Sequence, residues 1–153
     1  MKKSLAFLIT ALLVVGMLLL SYRQRKLAPE APDAVIWRLL ERSRAGDVQA
    51  YLDCFSGSTR AQLEATAREM AIARFSDYLK ESGARVKGVA VYDVQKTSGR
   101  SATLMVEYVY QDQNEKQRMA LGLEGGIWRI ESAESSQRVQ PLIPYGKPVT
   151  EVQ

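Results

Sequence analysis

Residues 101–130 read SATLMVEYVYQDQNEKQRMALGLEGGIWRI and decide the fold class. Apolar and polar residues alternate along most of this stretch, which is the period of a half-buried β-strand. Turn-forming residues interrupt the alternation at 112–115 and at Gly125–Gly126, and a glycine pair is a strong hairpin signal. Together with Val86–Val94 and a turn at 97–100, the stretch predicts a four-stranded antiparallel meander.

The residues before this meander follow the helical period instead. Three helices are expected, at about residues 33–46, 47–56 and 58–82, bounded by capping residues and by glycines. The grouping of helices first and strands second predicts an α+β fold, with the three helices packed on one face of the sheet.

The N-terminal residues Leu5–Leu20, LAFLITALLVVGMLLL, carry no charge. Extended to Ser4–Tyr22, a helix of this length spans roughly 28 Å, close to the hydrocarbon thickness of about 30 Å. An uncleaved transmembrane anchor is therefore predicted. The alternative is a cleaved signal peptide, for which the residues Leu19–Arg23 make a poor cleavage site because small residues are needed there.

Basic residues flank this segment, with Tyr22 at the expected interface: Lys2, Lys3, Arg23, Arg25 and Lys26. Of 21 basic residues in all, 16 remain for the rest of the chain, against 17 acidic residues, so that part carries a net charge of −1. The basic pI therefore reflects the membrane flanks and does not indicate a nucleic-acid partner. The expected partners are the membrane and either another protein or a second copy of the chain.

The sequence divides into an anchor at 1–26, a linker at 27–32, a folded domain at 33–138 and a proline-rich tail at 139–153. The flanking charges slightly favour a cytoplasmic domain. A Lys-Lys start before an apolar run acts more often as an export signal. We therefore expect an extracytoplasmic domain on the periplasmic side, with the cytoplasmic side as the alternative.

The chain has no histidine and one cysteine, Cys54. The absence of histidine excludes His-based metal sites and Ser-His or Cys-His nucleophile pairs, and a single cysteine excludes an intramolecular disulfide. No phosphate-binding glycine loop or metal cluster motif is present either. We expect no cofactor and no catalytic activity.

Two short segments resemble the NTF2-like (cystatin-like) superfamily, in particular its small bacterial envelope domains of unknown function. These are RAGDVQAYL at 44–52, similar to the junction of that family's first two helices, and GGIWRI at 125–130, similar to its closing strand. The resemblance implies a curved sheet that wraps a long helix and leaves a conical cavity at its wide end.

The candidate contacts to a ligand or partner are aromatic residues, namely Trp37, Tyr92, Tyr108, Tyr110 and Tyr145. Trp37 lies off the apolar stripe of the first helix, and Tyr145 belongs to a tail that is too apolar to be purely solvated. We expect a binding module for a protein or a small apolar ligand at the cell envelope. An alternative is an assembly factor with the layout of type IV secretion scaffold proteins.

A second alternative is an enzyme of the steroid-isomerase type, which needs a carboxylate base beside tyrosine donors in an apolar pocket. Asp93 and Glu107 are the candidate bases. Strand alternation places Glu107 on the face opposite Tyr108 and Tyr110, and places Asp93 opposite Tyr92. The pattern therefore favours core tyrosines and solvated carboxylates.

The expected orientation gives a direct test. A reporter enzyme that is active only in the periplasm, fused after Gln153, should be active because the anchor exports the domain behind it. An inactive periplasmic reporter, together with an active cytoplasmic reporter at the same position, would reverse the orientation.

Overall fold

The computed structural model describes residue 17 and residues 30–139. The expected anchor apart from Met17, the first half of the linker (27–29) and all of the tail after Val139 lie outside the described residues. Among the described residues, no helix is both long enough and apolar enough to cross a bilayer.

The described chain is an α+β fold in which four helices precede an open antiparallel sheet of five strands. The helices are α1 (Ala34–Ala45), α2 (Val48–Leu52), α3 (Gly57–Met70) and α4 (Ile72–Arg85). The strands are β1 (Gly88–Lys96), β2 (Ser101–Val109), β3 (Asn114–Glu124), β4 (Ile127–Ala133) and β5 (Gln137–Val139). The predicted class and the antiparallel sheet are confirmed, whereas the numbers of helices and strands were wrong.

The long third helix expected at 58–82 is two helices. Ala71 has φ 67° and ψ 139°, which ends α3 and starts α4 in a new direction. The break lets Ala67 and Leu79 join one apolar cluster with Leu52 of the short helix α2. In an unbroken helix these two residues would lie about 18 Å apart along the axis, too far to pack against one short helix.

The fourth strand of the expected meander is followed by a fifth. β3 pairs with β2 along one side, while its other side pairs first with β5 and then with β4. β5 gives no alternating pattern of apolar and polar residues, because residues 134–138 are all polar and only Val139 is apolar. The expected glycine hairpin is confirmed, since Glu124 pairs with Ile127 across Gly125–Gly126 and both glycines have positive φ.

The main core lies between α1 and one face of the sheet. Val35, Ile36 and Leu39 of α1 are buried with strand residues such as Leu104 and Leu121. The smaller cluster under α2, α3 and α4 is separate, and the partly buried Tyr51 and Leu63 pack against both clusters. Tyr51 therefore lies where the helical layer meets the layer over the sheet.

The backbone at Ala71 yields a stability prediction. A non-glycine residue in this conformation costs about 1–3 kcal/mol, so Ala71→Gly should raise the free energy of unfolding by about 1 kcal/mol. Urea unfolding followed by tryptophan fluorescence measures the change. Ala61→Gly, at an exposed position inside the regular helix α3, is the control and should lower stability by roughly 1 kcal/mol. Equal losses in both variants would contradict the strain.

Candidate functional site

A gap separates the end of α4 from the end of the sheet at which β2 turns into β3. Within the described residues, no Cα of α4 comes within 8 Å of a strand Cα, although α4 packs closely on α1. The gap is an open space of about 870 Å³, which we call the groove. Its lining residues are Tyr78, Glu81, Ser82, Ala84, Arg85, Lys87, Tyr110, Gln111, Asp112, Gln113 and Glu115.

A smaller cavity of about 160 Å³, which we call the inner pocket, adjoins the groove. Its lining residues are Leu39, Leu40, Ser43, Tyr51, Ser82, Gly83, Val86, Tyr108 and Tyr110. Ser82 and Tyr110 line both spaces, so the inner pocket opens towards the groove. No carboxylate lines it among the described residues.

Helix α1 holds α4 in place beside the inner pocket. The Arg44 guanidinium donates hydrogen bonds to the carbonyl oxygens of Gly83 at 3.3 Å and Val86 at 2.9 Å. The hydroxyl of Ser43, which is buried, donates to the carbonyl oxygen of Leu79 at 2.9 Å. Gly83 permits this close crossing, because a Cβ there would lie 3.0 Å from the backbone nitrogen of Arg44.

Tyrosine rings form much of the wall. The Tyr51 ring lies 5.3 Å from Phe55 and 6.2 Å from Phe75, and Phe75 stacks on Tyr78 at 6.1 Å between centroids. Burial raises the pKa of Tyr51 to about 12. Burial also raises the pKa of Tyr108 well above its usual range, and it raises the pKa of the less buried Tyr110. These hydroxyls therefore stay protonated at neutral pH and act as neutral hydrogen-bond donors.

The Ser82 hydroxyl is the polar group of the site that most clearly lacks a partner. Its Oγ is buried and has no hydrogen-bond partner among the described residues. Since buried polar atoms are nearly always satisfied, this unpaired hydroxyl stands out among the residues that line the two spaces, and because the Oγ is closed off, a neighbouring group must shift before a ligand can bond to it. Ser82 thus marks the junction between the inner pocket and the groove as a polar contact point.

Charges of both signs surround the groove. Glu81, Asp112 and Glu115 contribute three carboxylates, while Arg85 and Lys87 contribute two cations. The side-chain amide of Gln113 donates to Glu115 at 3.0 Å. The groove is therefore polar at its rim, in contrast to the apolar and aromatic inner pocket.

The structure brings together two of the five expected contact residues. Tyr108 and Tyr110 both line the inner pocket. Tyr92 lies on the opposite face of the sheet, because its partner is Met105 and the neighbouring pair Val91 and Val106 faces the core. There the ammonium group of Lys116 lies 6.0 Å from the centroid of the Tyr92 ring.

The other two expected contacts lie elsewhere. Trp37 is 47% exposed on α1, with its indole N–H 3.4 Å from a carboxylate oxygen of Asp33, and it lines neither space. Tyr145, like the membrane-flank residues Lys2, Lys3, Tyr22, Arg23, Arg25 and Lys26, lies outside the described residues.

The candidate bases of the enzyme alternative lie away from the inner pocket. Glu107 accepts a hydrogen bond from Asn114 at 2.7 Å and pairs with Lys116 at 3.4 Å on the outer face of the sheet. Asp93 is exposed in a β-bulge with φ 51°. Neither carboxylate lines the pocket that contains Tyr108.

The candidate contacts expected from the sequence did not include several lining residues, notably Tyr51, Tyr78, Ser82, Arg85 and Glu115. One signal could have found Glu115. Tyr108 pairs directly with Glu115 across the β2–β3 turn, so counting outward from that turn places both on the same face. The helix residues could not be found in this way, because the break at Ala71 sets their direction.

Compared with known protein families and with curated proteins, the chain shows no match. The likeness to the NTF2-like superfamily remains a prediction from the two sequence segments and the order of elements.

The buried Tyr51 hydroxyl makes stability fall at high pH. Its pKa of about 12 in the folded protein exceeds the ordinary value of 10.0. The contribution of the protonated hydroxyl to the free energy of unfolding is therefore complete below pH 10 and is lost as the pH rises towards 12. At pH 11 the loss should be about 1.4 kcal/mol, and Tyr51→Phe should remove that part of the pH dependence. Urea unfolding between pH 8 and pH 11 measures it, with Tyr92→Phe as control. The same pH dependence in wild type and Tyr51→Phe would contradict this account.

Proposed function

We propose that this chain is a non-catalytic, membrane-tethered NTF2-like domain that binds a small, mainly apolar ligand at the extracytoplasmic side of the cell envelope. The observation that carries the proposal is the inner pocket, aromatic and apolar, opening at Ser82 into the groove. The ligand would place its apolar end in the inner pocket and its polar end in the groove.

The sizes of the two spaces suit such a ligand. The inner pocket, about 160 Å³, is close to the roughly 150 Å³ of engineered apolar cavities that bind benzene. It therefore fits one ring or a short branched alkyl group. The groove, at about 870 Å³, lies within the range of about 300–1,000 Å³ common for small-molecule sites. Together they favour a ligand larger than a single ring.

The polar groups suit a ligand that carries an oxygen or an anionic group. A buried hydroxyl without a partner costs about 1–3 kcal/mol, so a ligand oxygen that bonds to Ser82 would recover part of this penalty. Arg85 and Lys87 line the groove and can face a carboxylate or sulfonate. The neutral Tyr108 and Tyr110 hydroxyls add donors on the opposite wall.

Binding is favoured over proton-transfer chemistry by the positions of the carboxylates. An isomerase-type site needs a carboxylate base inside the apolar pocket. Here Glu107 is paired with Lys116 on the outer face, and Glu115 lies in the open groove, where it accepts a hydrogen bond from Gln113. A proton-transfer site would need one of these groups to move into the inner pocket.

A small ligand is also favoured over a protein scaffold surface. Within residues 30–139 the exposed large apolar side chains lie on several elements, with Met70 and Ile72 on either side of the α3–α4 break and Tyr78 in the groove. Trp37 lies on α1, Ile72 follows the α3–α4 break, Val94 is in the β1 bulge, and Ile127 follows the β3–β4 turn. Single exposed apolar residues are normal on protein surfaces, whereas a docking surface needs a contiguous patch.

The chain arrives at the end of the domain opposite the groove. The indole N–H of Trp128 donates to the carbonyl oxygen of Glu30 at 2.7 Å, and Arg38 pairs with the Glu30 carboxylate at 2.7 Å. This contact is beside the start of α1, whereas the inner pocket is lined by Leu39, Leu40 and Ser43, roughly 8–14 Å further along the helix. The groove therefore lies at the end of the domain away from Glu30, where the described chain enters it.

The proposal is tested with the fluorescent probe 1-anilinonaphthalene-8-sulfonate, which has aromatic rings and one anionic group. The full chain in detergent should bind it saturably at one site. Ser82→Phe fills the junction and should weaken binding by about tenfold or more, a loss of roughly 1.4 kcal/mol. Fluorescence titration gives the dissociation constant, and probe bound to detergent alone is subtracted.

Ser58→Phe, at an exposed position in the first turn of α3, is the matched control and should leave the dissociation constant unchanged. Tyr108→Ala and Tyr92→Ala form a second pair on opposite faces of the sheet, of which only the first should weaken binding. Urea midpoints show that each variant is folded. Unchanged binding by both Ser82→Phe and Tyr108→Ala would refute a site in the inner pocket.

A further inference from the structure

The charged residues of the groove carry both signs and do not neutralise one another. They are Glu81, Arg85, Lys87, Asp112 and Glu115. No ion pair formed within residues 30–139 includes any of these five. Carboxylates and cations that line one space without pairing leave charges of both signs free to contact a ligand.

The register of the sheet places Glu115 beside the inner pocket. Glu115 lies directly opposite Tyr108, which lines that pocket. Directly opposed residues of antiparallel strands project from the same face, with Cβ atoms about 4.5–5.5 Å apart. Glu115 is partly buried, whereas the other four charged residues of the groove are exposed. Its carboxylate accepts a hydrogen bond from the Gln113 amide at 3.0 Å, which uses only part of the capacity of an ionised carboxylate.

Arg85 supplies positive charge on the facing wall. It is the last residue of α4, and the next residue, Val86, lines the inner pocket. Tyr110, which lines both spaces, lies in the field of both charges. Burial is the largest cause of the raised pKa of Tyr110, and after burial Glu115 raises this pKa while Arg85 lowers it. A carboxylate and a guanidinium are thus both close to one tyrosine at the mouth of the inner pocket.

This arrangement of charges decides which polar end suits the site. An acid without an amine would be attracted by Arg85 and repelled by Glu115, and an amine without an acid would meet the reverse. The three carboxylates and two cations give the groove a net charge of −1, so it does not favour an anion overall. A ligand with both charges has a partner for each, and charge-assisted hydrogen bonds are about twice as strong as neutral ones.

We infer that the ligand of this site is a zwitterion with an apolar side chain, either an apolar α-amino acid or a short peptide with free ends. The inference rests on the proposed function, because it names the class of ligand for the same two spaces. The side chain, of the size of a phenyl ring or a branched alkyl group, occupies the inner pocket of about 160 Å³. The ammonium group lies at Glu115, and the carboxylate lies at Arg85.

Competition against anilinonaphthalene sulfonate, with the full chain in detergent, tests the inference. Three competitors share a phenyl ring: phenylalanine carries both charges, 3-phenylpropionate lacks the ammonium group and phenethylamine lacks the carboxylate. Phenylalanine should bind about tenfold more tightly than either of the others, because each of those leaves one charge of the site unpaired. Phenylalanylglycine, whose carboxylate lies one residue further from the ring, shows whether the amino acid or the peptide is preferred.

Two variants assign the charges to residues. Glu115→Gln should weaken phenylalanine by about tenfold but not 3-phenylpropionate, since only the amino acid loses an attraction. Arg85→Gln should weaken phenylalanine and 3-phenylpropionate but not phenethylamine. Glu69→Gln and Arg74→Gln remove the same charges at exposed helix positions outside both spaces, and these matched controls should have no effect. The dissociation constant of the probe and the urea midpoint are measured for every variant.

The results separate this inference from the proposed function. Equal affinities of the three phenyl compounds, tightest binding by 3-phenylpropionate, or an equal effect of Glu115→Gln on phenylalanine and 3-phenylpropionate would each overturn the inference. A probe that binds to the inner pocket but is not displaced by phenylalanine or phenylalanylglycine removes only the zwitterionic ligand. A wild-type chain that does not bind the probe removes the ligand site itself.

Discussion

The structure depends on helix α1 packing against two partners at once. Its first turns bury Val35, Ile36 and Leu39 against the sheet, and its last turn contacts α4 through Ser43 and Arg44. α1 has 12 residues and spans about 18 Å, whereas the 11 residues of β3 span about 36 Å. One short helix therefore cannot cover the whole inner face of the sheet. The uncovered part, next to the β2–β3 turn, is where the groove forms.

Tyrosine is well suited to the boundary between the two cores, where the inner pocket lies. The site lies where the core over the sheet meets the smaller helical core, and Tyr51 packs against both. A tyrosine ring buries apolar area while its hydroxyl still needs a polar partner, so these residues can close a core and face a cavity together. Leucine at the same positions would fill the space without a hydrogen-bonding group. The walls are thus part of the core and also a surface that a ligand can contact.

The sequence predicts the sheet better than the helices, for physical reasons. Alternation along Ala102–Val106 and the glycine pair at 125–126 are local signals, and they give the meander and the correct face for Tyr108. The break at Ala71 has no local signal, because the surrounding residues are good helix formers and only packing against α2 turns the chain. β5 is missed because it is short and polar. The same holds for the site. Its sheet residues can be predicted from the strand register, whereas the positions of Ser82 and Tyr78 depend on the direction that the chain takes after the break at Ala71.

The most direct test of the central claim, a ligand site at the uncovered end of the sheet, is a crystal structure of the full chain grown with 4-bromophenol. This compound carries one ring, one hydroxyl and an anomalous scatterer, and it matches the inner pocket of about 160 Å³. The account predicts a bromine peak between Tyr51, Tyr108 and Val86, with the phenol oxygen hydrogen-bonded to Ser82. Bromine found only on the outer face or between molecules, with the inner pocket closed by its own side chains, would contradict it.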